Sequence, residues 1–169
     1  NGNIGNLSLF GNTHGLVSSD SIQMKAEYHF KMPDGTSSFN GDCVNVTKYE
    51  SWMDGSVPAH TPAANKIGGQ WAQIVWVWDA SNGMTRMYAN GVKISNTPWE
   101  SRNNGESMPF ALFAPSFPIL GATPSVADGT NAETWNAALK GNIDEVRVWK
   151  KALNAADINS LYELEKAGR

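Results

Sequence analysis

The chain has 169 residues, 17% of them charged, and a formal net charge of −3. That length fits one domain with a core able to hide roughly two thirds of the unfolded surface. So sparse and slightly acidic a charge argues against nucleic acid or an anionic membrane as partner. No apolar run approaches the roughly 18 residues of a spanning helix, so the chain is read as not membrane-spanning.

The sequence opens on Asn1 without an apolar leader, which reads as a processed chain or a piece of a larger polypeptide with other domains. The single Cys43 has no internal disulfide partner and no Cys/His cluster around it. It is expected to be a small buried core residue. Seven Trp in a weakly charged chain are the most unusual feature of the composition.

In chain order, the clearest element is "SIQMKAEYHFKMPDG". Ile22, Met24, Ala26, Tyr28, Phe30 and Met32 alternate with Gln23, Lys25, Glu27, His29 and Lys31. Period two predicts a strand with one buried and one wet face. Pro33 and Asp34-Gly35 end it. "DCVNVTKYESW" predicts a second strand with Val44 and Val46 on one face. "GQWAQIVWVWD" is apolar on both faces and is expected to be central, with Trp71, Trp76 and Trp78 in the core. "MTRMYANGVKIS" predicts a hairpin, because Asn90-Gly91 tolerates the two positive φ values of a type I′ turn. "PFALFA" and "FPILGA" are two further short strands. Polar loops are predicted over roughly 53–69, 96–107 and 123–141.

The chain closes on "GNIDEVRVWKKALNAADINSLYE". Asp144, Val146 and Val148 share one face of a predicted strand. Ile143, Glu145, Arg147 and Trp149 share the other; Glu145, Arg147 and Trp149 make a second candidate ligand patch, against which stands the favoured reading of an Arg147–Glu145 pair beneath the C-terminal helix. A helix follows near 155–166. Asn154 is its N-cap and Asp157 the acidic half of a capping box, with Leu153 and Ile158 as the hydrophobic staple. Gly168 suits the C′ position. Many strands and one substantial helix predict an all-β fold, a two-sheet antiparallel β-sandwich or jelly roll.

That closing stretch resembles the signature of laminin-G-like jelly rolls of the concanavalin A-like lectin/glucanase type, and is similar to pentraxins. "GQWAQIVWVWDASNGMTRMYANGVKI" resembles the middle motif of the same families. "MKAEYHFKMPDG" fits their early strand, with Tyr28-His29 where a Trp is common. The resemblance implies a single domain over 1–169, secreted or on a cell surface, the periplasm included. It leaves the families' first strand absent or displaced. It also implies three classes of function: carbohydrate binding, laminin-G-type adhesion to protein, and glycoside hydrolysis.

The residues speak against hydrolysis. A retaining hydrolase needs two carboxylates about 5–5.5 Å apart, and in the glucanases of this fold alternate residues of one strand supply them. No such run is present. Asp144 and Glu145 are adjacent and face opposite sides, and His14, His29 and His60 lie in no catalytic motif. The expectation is a non-enzyme.

Binding a poly- or oligosaccharide needs an aromatic platform beside polar side chains in a loop. "YESWMDG", "NTPWESRNNGE" and "NAETWNAA" supply these, so Trp52, Trp99, Arg102 and Trp135 are the candidate carbohydrate-binding residues. An aromatic that merely pins its loop to the sandwich is the competing reading of each Trp. Two Asn-x-Ser/Thr sequons, at Asn6 and Asn45, matter only in a eukaryotic secretory pathway.

Pentraxins hold calcium in the loop before the closing strand. The equivalent here, "GATPSVADGTNAETWNAALKG", carries Asp128, Asn131, Glu133 and Asn136, and an earlier loop carries Glu50 and Asp54. Calcium takes six to eight oxygens at about 2.3–2.6 Å. If the loop binds it, Asp128 and Glu133 are expected as first metal ligands. The spacing does not follow the pentraxin pattern residue for residue, and a solvated polar loop is the alternative.

Overall fold

The structure, a computed structural model, describes residues 7–11, 24–32, 34, 38–45, 69–114, 118–134 and 136–168. Ile22, Val46, Trp52, Trp135, His14, His60, Glu50 and Asp54 lie outside these, as does most of the 53–69 loop. Two three-stranded antiparallel sheets form. The first has the order β1 (Leu7–Gly11), β2 (Met24–Lys31), β3 (Ser38–Val44). The second has the order β4 (Ile74–Asp79), β5 (Met84–Ala89), β6 (Val92–Lys93). Among the described residues the helices are a 3-10 turn at Thr97–Trp99, the short α1 (Pro124–Ala127) and α2 (Ala155–Ala167).

Alternation in β2 is realised. Ala26, Tyr28 and Phe30 are buried, and Lys25, Glu27 and His29 between them are half-buried. β1 is a strand the sequence reading lacks. β3 begins earlier than expected and ends at Val44, which is buried as anticipated.

The chain clusters into two compact units. In the unit of 1–8, 27–41 and 110–150, Tyr28 stacks on Phe30 and Phe30 on Phe110, with centroids 5.1 and 4.1 Å apart. The His29 ring rests against Phe113 at 5.0 Å. "PFALFA" and "FPILGA" are not strands. The first contributes one bridge, in which Lys31 and Ala111 exchange backbone hydrogen bonds of 2.8 and 2.9 Å.

The predicted strand at 142–149 is also corrected. Residues 141–150 form no strand and are exposed throughout, with Val146 at 58% and Val148 at 90%. Glu145 takes a left-handed φ of 53°, which interrupts any extended run. The expected Arg147–Glu145 ion pair is present, at 2.5 Å, with both side chains exposed.

In the unit of 9–26, 42–109 and 151–169, β4 and β5 pair in the register Val75↔Tyr88 and Val77↔Arg86. Among the described residues the strand neighbour of β4 is β5. β4 is apolar on both faces because both faces are covered. On one, Ala26 and Cys43 pack with Met87, Ala89 and Ile94, flanked by Ile74 and Trp76. On the other, Val77 and Tyr88 pack with Ile158 of α2, flanked by Val75 and Leu153. Trp71 is not core: it is 52% exposed at the approach to β4. Trp76 is half-buried and donates its Nε1–H to Thr85 Oγ1 at 2.7 Å.

The hairpin turn has φ values of 49° at Asn90 and 76° at Gly91, as a type I′ turn requires. Asn90 Oδ1 accepts from the Gln73 amide at 2.9 Å. Gly91 lies under α2, where an added Cβ would fall 2.8 Å from Asn159 Oδ1 and 3.1 Å from its Cα.

Asn154 caps α2 as predicted, its Oδ1 accepting from the Asp157 amide at 2.8 Å. Gly168 is instead the C-cap itself, with φ −91° rather than a left-handed value. Asn154→Ala is expected to lower stability by about 1 kcal/mol, read as a lower urea midpoint at unchanged slope.

Candidate functional site

After β6 the chain crosses to the end of β3, where the Asn96 amide donates to the Val44 carbonyl at 2.9 Å. The 3-10 turn follows at once, entered through Pro98 and closed by the Trp99 amide bonding Asn96 O at 2.9 Å. This crossing sets Trp99 against Val44. Arg102 then lays its guanidinium 5.4 Å from the centre of the Trp99 ring, a cation–π arrangement. The structure therefore brings together two of the four candidate carbohydrate-binding residues. Trp52 and Trp135 fall outside the described residues.

Several polar atoms at this site are buried without a hydrogen-bond partner. Among the described residues they are Trp99 Nε1 and Arg102 Nε and Nη2, and both side-chain polar atoms of Asn45, the residue after Val44, are buried in the same state. Asn45 is fully buried, so its sequon offers no accessible acceptor. A buried polar group without a partner costs about 1–3 kcal/mol, so each such group calls for an explanation, such as an ordered water, an ion or a functional role. Sequence reasoning did not foresee the burial of Asn45, because it saw an alternating strand and a sequon there.

Glu100, next in the chain, is buried and well supplied with partners. Its Oε1 accepts from Lys93 Nζ and Ser95 Oγ, each at 2.7 Å, and Arg86 Nε stands 3.9 Å from Oε2. Its carbonyl takes the Thr85 amide at 2.8 Å. Cys43 lies in the same layer, and burial pushes its thiol up to about 12, against the lowering effect of a hydrogen bond with Thr85.

The loop before the closing stretch is organised by amides. Asn136 donates to Thr123 Oγ1 at 2.9 Å and Asn131 Oδ1 at 3.0 Å, and Asn131 donates to the carbonyls of Glu133 and Asn136. Asp128 Oδ1 accepts from the Thr130 hydroxyl at 2.6 Å and its amide at 2.9 Å, which holds this exposed carboxyl below its ordinary range. Asp144 Oδ1 likewise accepts from the Glu145 amide, at 2.8 Å. Among the described residues no three His, Cys, Asp or Glu side chains gather as a metal cage. Asp128 and Glu133, the two expected first ligands, lie in this loop, where Asp128 Oδ1 is engaged by Thr130 and the Glu133 carbonyl by Asn131. Among the same residues no helix is long and apolar enough to cross a membrane.

No curated protein and no solved structure matches the chain. A laminin-G family model of the concanavalin A-like lectin/glucanases superfamily matches residues 10–159. That span takes in both sheets from the last residues of β1 onward, the Trp99–Arg102 crossing and the first turn of α2. The chain therefore belongs to the concanavalin A-like lectin/glucanases superfamily, and its fold is that all-β antiparallel sandwich.

Proposed function

We propose that this domain is a non-catalytic carbohydrate-binding module of a secreted or surface-exposed protein, and that Trp99 and Arg102 contact the glycan. The observation behind this reading is the Arg102 guanidinium held over Trp99 with Nε and Nη2 unpartnered. Trp99 packs against Val44, so in this reading the ring works chiefly as a platform. It holds the intrinsically planar guanidinium in place, and the guanidinium's fork of donors suits paired sugar hydroxyls. Paired carboxylates on alternate positions of a strand are not part of this reading, so no glycosidase turnover is expected. Calcium has no role in it.

Affinity electrophoresis against a polysaccharide panel tests the proposal. A binding glycan is expected to lose at least tenfold in affinity on Arg102→Ala or Trp99→Ala. Wild-type affinity in both variants would discard this site. A second reading, adhesion to a protein, draws on Leu139, Ile143, Val146, Val148 and Trp149, which are all exposed. Exposed apolar side chains at this density mark protein-binding surfaces. Failure of every glycan, with binding to a protein partner lost on Val148→Asp, would favour it.

A further inference from the structure

β4 and β5 project a second set of polar groups on the face that α2 covers. Val77 and Asp79 of β4 share that face with Arg86 and Tyr88 of β5. Where the start of α2 meets them lies a cavity of about 280 Å³. Val77, Ala152 and Leu153 make its apolar part, and Asp79, Arg86, Tyr88 and Asn154 its polar part. None of these was singled out for chemistry by the sequence, because they come from two strands and a helix cap some 70 residues apart.

Three features mark the cavity as made for a ligand. Tyr88 is only 5% exposed and its side chain forms part of the cavity wall. Arg86 makes one long contact, Nε to Glu100 at 3.9 Å, while Glu100 is satisfied by Lys93 and Ser95. Its terminal Nη donors make no hydrogen bond to another of the described residues. Asp79 carries a carboxylate held ionised by the Ser81 hydroxyl and amide, at 2.6 and 3.0 Å. Asp79 and Arg86 are diagonal neighbours across the strand pair, a spacing of about 7–8 Å. They form no ion pair with each other.

Opposite charges are thus held apart on one wall, beside apolar carbons, in a space the size of one small molecule. A dianion would gain nothing from so balanced a site, and a neutral sugar would leave both charges unpaired. Asn154 engages its Oδ1 with the Asp157 amide and keeps its Nδ2 donors. The positive end of α2 adds to the attraction of an anionic group on the Arg86 side.

We propose that this cavity binds a small zwitterion, an α-amino acid with an apolar side chain, with its carboxylate on Arg86 and Tyr88 and its ammonium on Asp79. The guanidinium offers the carboxylate a two-point grip, the Tyr88 hydroxyl donates a third hydrogen bond, and the side chain lies on Val77 and Leu153. This site is separate from the Trp99–Arg102 crossing, and the proposal does not depend on the glycan reading.

Calorimetric titration of the whole chain with leucine tests it, beside leucinamide, N-acetylleucine and glucuronate. Leucine is expected to bind, and removing either charge is expected to weaken binding at least tenfold. Arg86→Gln and Asp79→Asn should each do the same, and Tyr88→Phe should lose severalfold while keeping the packed ring. Trp99→Ala should leave leucine binding unchanged. Equal binding of leucine and leucinamide would overturn the proposal. So would no heat with leucine at millimolar concentration, or glucuronate binding in its place. Should Arg86→Gln fail to fold, Tyr88→Phe and the two leucine derivatives still decide the matter.

Discussion

Replacing Ile158 by Ala is expected to cost about 3 kcal/mol, within the roughly 2–5 kcal/mol of buried aliphatic truncations. Ile158 is fully buried and joins Val77 and Tyr88 in one cluster. Alone among the residues of α2 it is completely buried, and the helix's other apolar side chains are only partly covered or exposed. Helix propensity alone holds a segment of 13 residues weakly in water. Docking through Ile158 is therefore the main force keeping α2 on the β4–β5 face. Urea titration followed by circular dichroism should show the lower midpoint. Hydrogen exchange should show α2 opening ahead of the sheets. Ile158→Val, which keeps most of the volume, should cost about 1 kcal/mol. Equal stability of Ile158→Ala and wild type would show that α2 is not anchored there.

The second large effect is expected at alkaline pH. Burial, the dominant cause, raises the Cys43 thiol from 9.0 to about 12. The hydrogen bond with Thr85 opposes this, and the nearby Glu100 carboxylate reinforces it. Below pH 9 the thiol is neutral in both folded and unfolded chains, and its contribution is fully present. Between pH 9 and 12 the unfolded chain ionises this thiol while the folded chain keeps it protonated, so stability falls with rising pH. At about 1.4 kcal/mol per tenfold shift in ionisation, the loss approaches 4 kcal/mol by pH 12. Cys43→Ser lacks the titration and should show a correspondingly flatter curve over that window. In the native protein at pH 8 the thiol should ignore aromatic disulfide reagents and react fully once unfolded. Rapid native labelling would contradict this burial.

Both effects belong to parts of the fold that the sequence displays openly. β2 was legible because six apolar residues alternate with polar ones, and burial on one side leaves that period behind. The Asn90-Gly91 turn and the Asn154 cap were legible because each answers a local backbone need that few residue types can meet. The run 142–149 misled for a related reason. Alternation tells which side chains could share a face, and says nothing of whether a strand lies alongside to pair. β4 was legible in part. Apolar residues on both faces imply cover on both faces, and the sequence alone did not say that a helix, α2, supplies one of the two covers.

The candidate sites were harder to see. Trp99 and Arg102 stood out as an aromatic and a cation three residues apart in a polar loop. Asn45 did not, because its burial depends on a crossing from β6 to β3 that joins distant segments. Asp79, Arg86 and Tyr88 read as ordinary strand residues until pairing puts them on one wall. Their chemistry arises from the register, which no single segment contains.

The closeness of Gly91 to Asn159 sets a rule for anyone who alters this molecule. Hairpin tips are the customary places to graft an epitope or a fluorophore-binding tag. This one is roofed over, so added residues there would have to lift a helix before they could reach solvent. A graft belongs instead at 103–106, where Asn104 and Gly105 already turn outward with positive φ and stand exposed.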